Sequence, residues 1–156
     1  MAARTNAAAR LAEPELVITR VFDAPRSLVF RVWTQPEHLA RWWGPKGFTL
    51  VACSMDVRPG GAWFRRMRSP EAVEYVKRGI YREIVAPERL IFTYVNEAAD
   101  GSLGPETVVT VTFEPLGAKT KLTLHHTGFD SVAWRDAHEG GWSSCLERFA
   151  EYLASV

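Results

Sequence analysis

The stretch TVVTVTFEPLGAKTKLTLHHT, Thr107–Thr127, decides the fold. Val109, Val111 and Phe113 alternate with Thr110 and Thr112; beyond the Leu116-Gly117 turn, Leu122 and Leu124 alternate with Lys121 and Thr123. A period of two marks strands with one buried and one wet face, so Thr107–Glu114 and Lys119–Thr127 read as neighbours in an antiparallel meander. The same alternation turns His126 inward and His125 outward. Adjacent strand residues face opposite ways, so the two rings do not chelate one metal.

Upstream, strand-like runs at Phe48–Val57, Ala62–Arg68, Glu74–Val85 and Leu90–Asn96 are separated by turn signals such as Pro59-Gly60-Gly61, Ser69-Pro70 and Pro87-Glu88. Glu15–Asp23 is a first strand, rich in β-branched and aromatic residues. Between it and Phe48 lie two short helices. Pro25 opens one, with Leu28, Val29, Val32 and Trp33 at helical spacing as far as Thr34. Pro36 begins the other, with Leu39, Trp42 and Trp43 on its apolar side and Gly44-Pro45 closing it. Downstream, from about Ser131, the spacing turns helical again, and Ala137, Gly141, Trp142, Cys145, Phe149 and Leu153 share a stripe. Strands dominate and the long helix comes last, which predicts α+β: a strongly curved antiparallel sheet holding the helix.

The chain has 156 residues, 47% apolar and 24% charged, with net charge +1. This predicts a domain over 14–156 preceded by a flexible tail over 1–13. Near-balanced charge offers no footprint for nucleic acid or an anionic membrane. No apolar run approaches the ~18 residues of a membrane helix, and no secretory signal is evident. Cys53 and Cys145 form no CxxC motif, so two free thiols and a cytoplasmic setting are expected. No GxSxG, P-loop, GxGxxG or HExxH is present, and no close-spaced ligand set calls for a metal or cofactor.

The element order, together with Phe22-Asp23-Ala24-Pro25, Val29–Glu37, Leu39-Ala40-Arg41-Trp42-Trp43-Gly44-Pro45, Asp56–Trp63, Pro87–Thr93 and His138-Glu139-Gly140-Gly141-Trp142, resembles the START-like helix-grip (SRPBCC) superfamily. More narrowly, the chain resembles the family named for the activator of the Hsp90 ATPase, over about residues 15–154. The resemblance implies a seven-stranded sheet wrapped around the C-terminal helix, with a cavity between them. It carries no shared catalytic residue set. It implies lipid-, polyketide- or other apolar ligands, and, from the eukaryotic co-chaperone, a chaperone partner. That co-chaperone carries a second, chaperone-binding domain for which 156 residues leave no room.

Several residues admit two readings. In Trp42-Trp43, one ring fills the core while the other packs there too or lids a pocket mouth. Gly140-Gly141 costs the last helix about 2 kcal/mol against alanine; the gain is close packing against the sheet, a bend that lets the helix follow the sheet's curvature, or space for a ligand walled by Trp142. Trp63, Arg65 and Met67 share one strand face and Phe64, Arg66 and Arg68 the other; both carry aromatics, so the inner parity stays open. Tyr81 and Glu83 share a face, as do Phe92 and Tyr94.

Three functions follow. The first is binding of an apolar or aromatic small molecule with one polar end, in a cavity lined by Trp42, Trp63, Tyr81 and Phe92 together with Tyr94, His126, His138 and Trp142. The second is an enzyme of cyclase, dehydratase or hydrolase type using an inward Glu83, His126 or His138. The third is a protein-interaction module, a homodimer or a chaperone accessory, marked by an exposed tryptophan patch around Trp42 and Trp43.

Overall fold

In the computed structural model, which describes residues 14–156, seven strands form one curved antiparallel sheet. They are β1 (Leu16–Phe22), β2 (Thr49–Met55), β3 (Ala62–Arg68), β4 (Glu74–Val85), β5 (Arg89–Glu97), β6 (Thr107–Leu116) and β7 (Lys119–Thr127). The sheet order is β1-β7-β6-β5-β4-β3-β2. Consecutive strands from β2 to β7 are neighbours, as short turns require, and β1 returns to pair with β7. Two short helices, α1 (Arg26–Thr34) and α2 (Pro36–Leu39), bridge β1 and β2, and α3 (Val132–Leu153) follows β7. The tail expected over 1–13 lies outside the described residues. Among the described residues no helix is long and apolar enough to cross a membrane.

The meander behaves as its alternation requires. Val109, Val111, Phe113, Leu122 and Leu124 are buried, with Val111 opposite Leu124 and Phe113 opposite Leu122. Ser131 starts α3 by accepting a hydrogen bond from the Trp134 amide at 3.1 Å. The two halves of α3 differ. Trp142, Cys145, Leu146, Phe149 and Leu153 bury one stripe, whereas Val132, Ala133, Ala137 and Gly140 are exposed. Phe149 joins sheet to short helices: its ring centroid lies 5.0 Å from Phe22, 4.7 Å from Trp42 and 5.7 Å from Trp33. Full burial of such a side chain contributes about 3 kcal/mol, and the edge-to-face contacts add to that.

Two local expectations are corrected. The second short helix ends at Leu39; Trp42 and Trp43 follow in turns whose amides both reach back to the Leu39 carbonyl. In β4 a bulge interrupts the pairing with β5: Tyr81 faces Phe92, but Glu83 then faces Ile91. The extra residue reverses the parity, so Ile84 packs on the core and Glu83 turns outward.

Candidate functional site

The open parity of β3 resolves with Trp63, Arg65 and Met67 inside. Tyr75, Lys77 and Tyr81 share that inner face on β4, and Phe92 and Tyr94 on β5. Above these strands lie the thinly packed half of α3 and the turn 43–48. Between them is a cavity of about 210 Å³, lined by Trp43, Phe48, Met67, Tyr94, His138 and Trp142, with Gly44, Pro45, Tyr75, Lys77, Ala137, Gly141 and Cys145 completing the wall. Tyr75 and Ala137 are exposed and lie at its rim. The lining is mostly hydrocarbon and aromatic ring.

Arg148 holds the turn that forms one wall. Its Nη1 lies 2.9–3.3 Å from the carbonyl oxygens of Trp43, Gly44, Pro45 and Phe48. The Lys46 amide adds a bond to Ser144 Oγ at 2.8 Å. Gly44 sits at φ +96°, a conformation L side chains rarely adopt, and a Cβ there would meet Phe48 Cβ at 3.2 Å and Met67 Sδ at 3.3 Å. Gly141 is different. Among the described residues it has no close neighbour: a Cβ built on it meets nothing within 4 Å, and the same holds for Gly140. Backbone packing against the sheet therefore does not account for the glycine pair. Gly141 borders open space.

Of the residues expected to line a pocket, Tyr94, His138 and Trp142 do so. Trp42, Trp63, Tyr81, Phe92 and His126 are buried in the core. The Trp42 indole donates to the Val32 carbonyl at 3.0 Å and the Trp63 indole to the Thr93 carbonyl at 3.1 Å. Of the tryptophan pair it is Trp43 that reaches the cavity, at 3% exposure.

His126 is fully buried and held at both ring nitrogens. The Trp142 indole donates to Nδ1 at 3.1 Å; Nε2 lies 2.7 Å from Thr107 Oγ1, whose own proton goes to the Tyr94 carbonyl at 2.7 Å. Only the neutral, Nε2-protonated ring satisfies every partner, because a proton on Nδ1 would oppose the Trp142 N–H. Burial, with smaller contributions from His138, His125 and Lys77, pushes its pKa down to about 3. His126 is thus a locked structural group rather than a proton acceptor poised near neutrality. His138 donates Nδ1–H to the Trp134 carbonyl at 3.0 Å, which leaves Nε2 as an acceptor, and burial lowers its pKa too. Glu83 is a half-exposed ion-pair partner of Arg89, away from the cavity. Cys145 is buried, its thiol pushed up to about 12 by desolvation. Among the described residues no three His, Cys, Asp or Glu side chains converge to hold a metal.

Lys77 is a charged residue of the cavity wall that sequence patterning missed. Its Nζ donates to Asn96 Oδ1 and lies 5.8 Å from the Tyr94 ring centroid. Burial brings its pKa down to about 8. The one available signal was its position two residues from Tyr75 and four from Tyr81, which becomes informative only once the inner face is known.

No curated protein is similar to this chain in sequence. Solved structures are. An AHSA1 protein from Silicibacter pomeroyi is 29% identical, with a TM-score of 0.83 over 90% of this chain and 98% of its own. A Nitrosomonas europaea protein is 27% identical, with a TM-score of 0.78 over 92% and 96%; one from Chromobacterium violaceum is 26% identical, with 0.79 over 89% and 96%. The family described as Activator of Hsp90 ATPase homolog 1-like protein matches residues 23–154. Sheet, gripped helix and family match agree: the chain belongs to the Activator of Hsp90 ATPase homolog 1-like family, within the START-like fold.

Proposed function

We propose that this protein binds an apolar or aromatic small molecule in the cavity between the sheet and α3. One observation carries the reading: Gly141, inside a 22-residue helix, costs stability and gains no packing contact, yet borders the cavity. An unpacked glycine at that place keeps room for something else. Apolar cavities of about 150 Å³ hold a benzene ring, so about 210 Å³ suits one ring system or a short chain.

The rival readings find less support. An enzyme would need an acid or base at the cavity, and of the three candidates only His138 lies there. An interaction module would display the paired tryptophans, but Trp42 and Trp43 are 0% and 3% exposed.

Native mass spectrometry of the purified protein, followed by denaturing extraction, tests the proposal. A small molecule of defined mass, retained by the wild type and lost from Gly141→Leu, is the expected result. The reading fails if the protein carries nothing and a panel of lipids and aromatic compounds leaves both its mass and its thermal midpoint unchanged.

A further inference from the structure

Charge is distributed differently on the two faces of β3 and β4. On the outer face the arginines have acids: Arg66 and Arg68 meet Glu74, Arg78 meets Glu97, and Arg82 meets Glu106. On the inner face Arg65 and Lys77 stand directly opposite each other in the β3–β4 register. Among the described residues neither forms an ion pair with a carboxylate. Like charges in directly opposed positions disfavour the sheet that carries them, and buried charge is ordinarily found paired.

What surrounds the two cations does not replace an anion. Arg65 is 3% exposed, its guanidinium carbon 4.6 Å from the Trp43 ring centroid and 4.5 Å from that of Trp63. Aromatic faces offset part of its charge, but among the described residues its Nε has no hydrogen-bond partner. Lys77 lines the cavity and gives one of its three N–H donors to the neutral amide of Asn96. A chain whose overall charge is +1 thus places Lys77 at the wall of its apolar cavity and a second positive charge, Arg65, behind the Trp43 ring, neither facing a carboxylate among the described residues.

We infer that the ligand carries a carboxylate on its apolar body, and that this carboxylate bonds Lys77 Nζ while Arg65, one strand away and behind Trp43, supplies the second positive charge. This inference rests on the cavity being a binding site. A single ammonium with two free donors matches one carboxylate. Arg65, lying against the Trp43 and Trp63 rings, acts through its field rather than by contact, which makes it a positioning charge.

Calorimetric titration with matched head groups on two apolar bodies tests it: octanoate, octanamide and octylamine, and 4-phenylbutyrate with its amide and amine. The acid of at least one body should bind ten-fold or more tightly than its amide, and the amine more weakly still. Lys77→Met should lose the preference for the acid while keeping the amide's affinity, and Lys77→Arg should keep the preference; circular dichroism melts confirm that both variants fold. Equal binding of acid and amide, or tighter binding of the amine, overturns the inference and leaves the cavity reading intact. Failure of all six compounds to bind overturns the inference, and the cavity reading falls with it where the purified protein also carries no small molecule.

Discussion

Gly141 separates stability from function at a single residue. Because its Cβ would meet nothing within 4 Å, Gly141→Ala should raise stability by about 1 kcal/mol, or roughly 2–4 °C in thermal midpoint, while larger side chains there should reduce ligand capacity. Differential scanning calorimetry beside ligand titration checks both halves. His126 makes the opposite kind of prediction. Its folded pKa of about 3 lies below the unfolded value of 6.5, so the unfolded chain takes up the proton first. Stability is therefore complete above pH 6.5 and falls with acid, at up to about 1.4 kcal/mol per pH unit from this group, with His138 acting in the same direction. Urea midpoints measured from pH 7 to pH 5, above the range where most carboxylates titrate, should show that decline. His126→Gln should lower stability at pH 7 by about 2 kcal/mol and flatten the slope. Inward His126 and outward His125 were legible from alternation alone. What Trp142 and Thr107 do to the ring was not, because both partners come from distant segments.

At the scale of elements, α3 does two jobs at its two ends. Its second half anchors the molecule: Phe149→Ala should cost about 4 kcal/mol, as large cavities in aromatic cores do, read as a drop in the urea midpoint. Arg148, one residue earlier, ties the 43–48 turn to the helix. Arg148→Met should leave the sheet intact but speed amide hydrogen exchange in residues 43–48, with the effect confined to that turn. Strand and helix order followed from the sequence because alternation and helical spacing are local properties. The β4 bulge shows where that stops. Tyr81 and Glu83 are two residues apart and share a face in any regular strand; the parity reverses only because β5 pairs one residue short. Register belongs to two strands, so one strand's pattern does not contain it. Lys77 escaped notice for the same reason, since β4 carries apolar and charged residues on both faces.

For the whole molecule, the arrangement of charge predicts a pH profile of binding. The groups facing Lys77 are Arg65 on β3, Tyr75 on its own strand, Tyr94 and Asn96 on β5, His126 on β7, and His138 and Cys145 on α3. Burial keeps Tyr94 and Cys145 protonated and both histidines neutral at and above pH 7. Lys77 is then the group that changes state as pH rises past about 8. Carboxylate affinity should hold steady between pH 7 and 7.5 and weaken above pH 8, whereas amide affinity should not move; Lys77→Arg should abolish the change.

Two of the six tryptophans, Trp43 and Trp142, line the cavity, while Trp33, Trp42 and Trp63 are sealed in the core. The Trp43 ring also lies against the Arg65 guanidinium, so its electronic surroundings change when an anion arrives nearby. The molecule therefore contains its own optical gauge: a shift in indole emission that disappears in Trp43→Phe would report occupancy without any label.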